Sequence, residues 1–240
     1  MRNDILWIIT ARSGSKGIPH KNIKLLGQYP LLAYRIKSAQ SISRKSDVWV
    51  STDSKTYAKI AEEYQAMVPF IRPKELAGDD ASSIDVVLHA MHFAINSDKN
   101  YEFIGLLEPT SPFVEYVDLL KALNILKSDH NADAIVAVEE VRPNTFFVQD
   151  EDSYLIDLAL RLQSCEKLGR QSFKRQITPS GGFYIAKWDN FLNKKSFYTK
   201  NTIPYLIPDL ASLEIDEPID WQFADFLLAN GNVELNKIWK

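Results

Sequence analysis

Apolar and polar positions follow two periods along this chain. Short runs dense in aliphatic and β-branched residues, Ile5–Ile9, Asp47–Val50, Phe103–Leu107 and Ala134–Val138, read as strands. Between them the apolar spacing becomes helical. Tyr57, Ile60, Ala61 and Tyr64 fall at i, i+3, i+4 and i+7, and Ile84, Val87, Leu88 and Met91 repeat the pattern. Glu115 to Ser128 reads as a third helix. Pro218 after Glu217 opens a last one, which stops near Asn230-Gly231, because Pro suits a first helical turn and Gly the position past the end. Strands alternating with helices predict an α/β fold, a three-layer, doubly wound, mostly parallel sheet.

From about residue 139 to 180 the rhythm breaks. The stretch is polar, carries Pro143 and the acidic Asp150-Glu151-Asp152, then turns basic at Arg170, Lys174 and Arg175. It keeps Phe146, Phe147, Leu155, Ile156, Leu158, Leu160 and Leu162 for packing, so it reads as a subdomain inserted into a single domain over 1–240 rather than as a linker. At 240 residues, 45% of them apolar, the chain is long enough to bury a full core. Its first apolar run is only Ile5–Ile9, too short for a signal peptide, and no run approaches the roughly 20 apolar residues of a membrane span. Cys165 stands alone, which excludes an internal disulfide and a cysteine metal site. The expectation is a cytoplasmic protein without a membrane partner.

Charge adds the first chemical signal. The net charge is -3, yet Ile5 to Ser46 carries eight Lys/Arg and no Asp or Glu. That is a local anion site in a protein that is not basic overall. Its centre is the loop Thr10-Ala-Arg-Ser-Gly-Ser-Lys-Gly-Ile-Pro-His-Lys-Asn22. Gly14 and Gly17 let backbone N–H groups approach phosphate oxygens, while Arg12, Lys16 and Lys21 supply positive charge at the carboxyl end of the first strand, where α/β sheets bind ligands. The glycine spacing fits neither a Walker loop nor a dinucleotide fingerprint. Because the cations are confined to one loop and the insertion, a nucleic-acid partner is not expected. Glu214 and Asp216, two apart on an expected strand, point the same way and could hold a hard cation, with Asp220 close behind. His89 and His92 share a helix face but have no evident third ligand, and His20 sits in the loop.

The loop resembles the nucleotide loop of the acylneuraminate (CMP-sialic acid) cytidylyltransferase family, Ala-Arg-x-x-Ser-Lys-Gly-x-Pro-x-Lys-Asn, here Ala11, Arg12, Ser15, Lys16, Gly17, Pro19, Lys21 and Asn22. Further blocks follow in family order: Val50-Ser-Thr-Asp53, Arg72-Pro-Lys-Glu-Leu-Ala77 with Ala81-Ser-Ser83, Leu107-Glu-Pro-Thr-Ser-Pro112, Arg170-Gln171, Gly182-Phe-Tyr-Ile185 and Leu213-Glu-Ile-Asp216. The resemblance implies a Rossmann-like nucleotidyltransferase fold whose insertion makes a homodimer. It implies CTP and an acidic sugar as substrates and Mg²⁺ as cofactor. By the same resemblance Lys16, Arg12 and Lys21 are catalytic. Ser15, Gly17, Asn22, Arg72 and Ser83 join them in nucleotide binding. Glu108, Thr110, Ser111, Arg170 and Gln171 bind the sugar, and Asp216 and Glu214 bind the metal.

The sugar half departs from the pattern. Glu108 stands where the family has Gln, Val114 where an Arg usually follows, Thr178 and Ser180 at an Arg and an Asn, and Glu214 at an Asp. These changes point to a nonulosonic acid with amino or amido substituents, of pseudaminic or legionaminic type. Two alternatives stay open: a nucleotidylyltransferase acting on a sugar 1-phosphate or phosphonate, and a nucleotide-binding protein without catalysis.

Overall fold

The computed structural model describes residues 3–141 and 175–240. Its sheet has six strands: β1 (Asn3–Thr10), β4 (Val48–Ser51), β5 (Tyr101–Leu107), β6 (Ala134–Glu140), β7 (Ile177–Lys187) and β8 (Thr202–Leu206). They lie in the order β4-β1-β5-β7-β6-β8. The β1–β4, β1–β5 and β6–β8 contacts are parallel, and β7 runs antiparallel to both its neighbours. A small hairpin, β2 (Leu25–Leu26) with β3 (Tyr29–Pro30), leads into helix α1 (Leu31–Gln40).

The apolar run of β1 shows why three layers form. Ile5, Trp7 and Ile9 pack into one cluster with Leu32 and Ile36 of α1, Tyr57 of α2 (Lys55–Glu63) and Leu119 of α4 (Tyr116–Ser128). Leu6 and Ile8 face the other way, against Val87 and Met91 of α3 (Ser83–Asn96) and Phe191 of α5 (Trp188–Lys194). Alternate residues of one strand thus build two cores. A third cluster seats α6 (Pro218–Ala229) and α7 (Leu235–Ile238) through Trp221, Leu227 and Ile238 on Tyr34, Phe113 and Ile215.

The strands and helices expected from periodicity are present, with small shifts. Asp47 falls in a 3-10 turn just before β4, and α7 follows the helix expected to be the last. Two expectations change. Residues 139–140 and 177–180 belong to β6 and β7, where Glu140 pairs with Ile177, so the excursion is narrower than 139–180. Most of it lies outside the described residues, together with Arg170 and Gln171. Glu214 and Asp216 are not on a strand: the segment is extended but joins no ladder, and the Ile215 N–H donates instead to the Thr110 carbonyl at 2.8 Å. Ile215 between them is fully buried while both carboxylates stay exposed, so the expected shared direction survives without the sheet.

Candidate active site

At the carboxyl ends of β1 and β5 lies a cleft of about 480 Å³. Arg12, Ser15, Lys16, Gly17, Lys21 and Asn22 line one side, Arg72 and Ser83 another, and Glu108, Thr110, Glu214 and Asp216 the far side. The glycine-and-lysine loop leaves β1 and is pinned at three points. Asp53 accepts the Ser13 N–H at 2.8 Å and its hydroxyl at 2.6 Å. The Asn22 amide donates to the Arg12 carbonyl at 3.0 Å. Gly17 presses on the carboxylate segment, where an added Cβ would meet the Asp216 carbonyl oxygen at 2.5 Å. Asn22 thus helps hold the loop while lining the cleft. Burial would raise the Asp53 carboxyl, but the Ser13 hydroxyl and N–H outweigh it and hold Asp53 below its ordinary value.

The three loop cations are paired unequally. Lys21, only 12% exposed in its side chain, donates to the Ile215 carbonyl at 2.8 Å and to Asp216 at 2.9 Å. Arg12 and Lys16 share one carboxylate, Asp79, at 2.8 and 2.5 Å, and the Lys16 side chain is 81% exposed. Those two contacts hold Asp79 well below the usual carboxylate range. Asp79 follows Gly78 in the loop before α3, and spacing gives no sign of it. The only clue in the chain is that the cation-rich stretch holds no acid of its own.

Arg72, expected to take part in nucleotide binding, is buried and largely committed. Its Nε donates to the Ser51 hydroxyl at 3.0 Å, Nη2 to the Ser51 carbonyl and Nη1 to the Leu76 carbonyl at 3.4 Å. Burial lowers it to about 10, with Asp53 acting in the opposite direction. Three of its five N–H groups brace the cleft wall, which leaves two for a ligand. His89 is packed edge-on against Phe70 at 4.6 Å, with burial lowering its affinity for a proton. It belongs to the core.

On the far side, Glu108 directly follows β5. Burial, then Glu214 and Asp216, push it up to about 7, with the Ser83 hydroxyl and Lys21 opposing. Glu214 accepts the Gly181 N–H; burial raises its carboxyl despite that bond, and Asp216 adds to the rise. A Cβ on Gly181 would lie within 3.0 Å of oxygens of Glu214, Ser111 and Glu108, so only glycine lets the three converge. Ser111 does not line the cleft. It lies fully buried behind it, and the hydroxyls of Ser111 and Ser180 have no hydrogen-bond partner among the described residues. Asp220 accepts the N–H groups of Asp216 at 3.0 Å and Glu217 at 2.8 Å, which fixes the approach to α6.

Among the described residues no three His, Cys, Asp or Glu side chains form a ready metal cage. Glu214 and Asp216 are two hard oxygen donors opening onto the cleft that the loop cations share. That donor set fits Mg²⁺, which binds through one or two carboxylates and takes its other ligands from phosphates and water.

A family model described as cytidylyltransferase matches residues 6–207. The chain belongs to the cytidylyltransferase family. It is 35% identical over 224 residues to an N-acylneuraminate cytidylyltransferase of Escherichia coli O18:K1:H7, covering 93% of this chain and 52% of that protein. To a CMP-N,N'-diacetyllegionaminic acid synthase of Legionella pneumophila it is 33% identical over 225 residues, 93% of this chain and 96% of that one. The chain thus spans about half of the first relative and nearly all of the second. In fold it is similar to the solved structure of a CMP:2-keto-3-deoxy-manno-octonic acid synthetase complexed with CTP, with TM-score 0.66, 16% identity, and coverage of 95% of this chain and 100% of that one.

Proposed function

We propose that this cytidylyltransferase moves CMP from CTP onto the hydroxyl of a 2-keto-3-deoxy acid sugar, releasing pyrophosphate. The observation that supports this most directly is Lys21. It ties the cation loop to Asp216, so the groups that would hold a triphosphate and those that would hold a metal meet in one cleft. The acceptor hydroxyl attacks the α-phosphorus, the bond from that phosphorus to the bridging oxygen breaks, and negative charge grows on the departing pyrophosphate. In this reading Arg12, Lys16 and Lys21 neutralise that charge, and contacts that strengthen as charge develops are the ones that accelerate the step. Ser15 and the Gly17 backbone complete the phosphate cradle. Arg72 and Ser83 offer donors to the base. Asp216 and Glu214 would hold Mg²⁺, which when bound supplies charge stabilisation at the phosphates.

For the acceptor we propose a nonulosonic acid bearing amino or amido groups. Glu108, half-buried and with its carboxyl raised to about 7, can accept a hydrogen bond when ionised and donate one when protonated, beside an acidic sugar. Thr110, Ser111, Arg170 and Gln171 are the remaining sugar contacts in this reading, Arg170 as the carboxylate partner. A cytoplasmic homodimer held by the segment between β6 and β7 is part of the same proposal, and light scattering of the purified chain tests it.

The deciding experiment is pyrophosphate release with Mg²⁺, crossing CTP, UTP, GTP and ATP with N-acetylneuraminate, N,N'-diacetyllegionaminate and a sugar 1-phosphate. Release with CTP and a free acid sugar is expected. Release only with the phosphosugar would overturn the acceptor class. CTP binding without any release would favour a protein that no longer catalyses. Asp216→Asn should abolish release together with its Mg²⁺ dependence, and an active, Mg²⁺-dependent variant would move the metal elsewhere.

A further inference from the structure

Arg35 is the one fully buried arginine among the described residues. It sits in α1 between Tyr34 and Ile36, in a helix buried almost all round. Among the described residues its guanidinium meets no carboxylate. Nη2 donates to the Gly182 carbonyl at 2.7 Å, Nη1 reaches the Val114 carbonyl at 3.4 Å, and Nε has no partner. Burial alone lowers it, to about 9, so it remains charged at neutral pH. A buried guanidinium without a counter-ion is a burden on the folded state that an apolar side chain of similar size would not impose.

The two carbonyls it meets show what the charge does. The β5–β7 ladder runs only as far as Leu106 with Tyr184. On the other side of β7 the register jumps from Val136 with Tyr184 to Val138 with Pro179, so β7 advances five residues while β6 advances two. Ser180–Phe183 therefore bulges with no ladder partner on either side. Bulges of this kind re-aim side chains next to sites and need another source of support. Everything distinctive about the acceptor side hangs on that bulge and on the turn opposite. The Gly181 N–H holds Glu214, Ser180 is in the bulge, and Glu108 and Ser111 form the turn at the start of the β5–α4 connection, which runs on to Val114.

We propose that Arg35 is a positioning residue: from behind the sheet its guanidinium clamps the β7 bulge to the β5–α4 connection at Val114, and so sets the spacing of Glu214 and Glu108 where they converge on Gly181. It touches no substrate. The kinetic half of this inference rests on the acid-sugar acceptor proposed above; the clamp itself does not.

The test uses Arg35→Met, which keeps the volume without the charge, and Arg35→Lys, which keeps the charge without the fork. In the ligand-free protein, hydrogen exchange in peptides covering Ser111–Val114 and Ser180–Phe183 should speed up about tenfold or more in Arg35→Met, while peptides covering the loop 11–22 do not change. With CTP and N,N'-diacetyllegionaminate or N-acetylneuraminate, KM for the sugar should rise and kcat fall, together by about tenfold to a hundredfold, with KM for CTP within about twofold of wild type. Added guanidinium ion should restore part of the rate to Arg35→Ala. Unchanged exchange at the bulge would overturn the clamp, as would equal losses in the CTP and sugar parameters, which mark a general packing role. If Arg35→Met does not fold, Arg35→Lys is read by the same exchange ratio. If the wild type turns over neither sugar, the acceptor reading fails, and the exchange measurement alone decides the role of Arg35.

Discussion

The two halves of the cleft are built by opposite means. The phosphate half is an exposed loop whose cations Arg12 and Lys16 rest on a single exposed carboxylate, Asp79. The acceptor half is largely buried, with Ser111, Ser180 and Arg35 enclosed around a bulge in β7 and Glu108 half-buried in front of them on the cleft wall. Exposed pairs contribute little on their own and exchange readily, so a triphosphate can take the place of Asp79 without opening the core. Buried polar groups that lack partners behave differently: a ligand supplying the missing partner is strongly favoured over one that does not. Nucleotide capture should therefore be sensitive to salt and forgiving of small changes. Choice of sugar should be insensitive to salt and intolerant of them.

The largest expected effect comes from the exposed half, in the rate. Lys16→Ala should lower kcat by about 10² to 10³ while leaving the melting temperature unchanged, because its only partner among the described residues is a surface carboxylate. A near-normal rate would take the loop out of the chemistry. Next is Glu108→Gln, which should change kcat/KM for the acid sugar by about tenfold to a hundredfold and leave KM for CTP alone. Equal changes in both would erase the division between halves. Asp79→Asn is smaller. It frees Arg12 and Lys16, so CTP and pyrophosphate should bind no more than about fivefold tighter, the gain vanishing at high salt.

The smallest effect is on stability. Asp53 sits below its ordinary value in the folded protein, so its contribution is present above its unfolded value of about 3.9 and is lost as pH falls through the lower folded one. Asp53→Asn should lower the melting temperature at pH 7 and converge with wild type in strong acid. A constant gap across pH would mean that the Ser13 contacts, and not the charge, carry the effect.

The sequence made the phosphate half legible because its chemistry is local: cations and glycines within a dozen residues of one strand. The β-branched runs and helical spacing likewise marked the elements that carry it. The acceptor half depends on distant contacts. Arg35 is one of eight cations in the basic stretch and carries no signal of its own in the sequence; only the packing of α1 against the sheet reveals it as buried. Ser111, implied by the resemblance to bind the sugar, lies covered behind the cleft, and Arg72, implied to bind the nucleotide, spends most of its donors on Ser51 and Leu76. The spacing of Glu214 and Asp216 suggested a strand. Alternation there comes from Ile215 anchoring in the third core, with no ladder involved. Arg170 and Gln171 lie outside the described residues.

Lys21 and its partner Asp216 are 195 residues apart in the chain. At synthesis rates of roughly 5 to 20 residues per second, the loop leaves the ribosome roughly 10 to 40 seconds before the carboxylate that completes it. Through that interval a nascent chain displays its most basic segment with neither Asp216 nor α6 behind it. The loop is thus made long before the contact that fixes it can form.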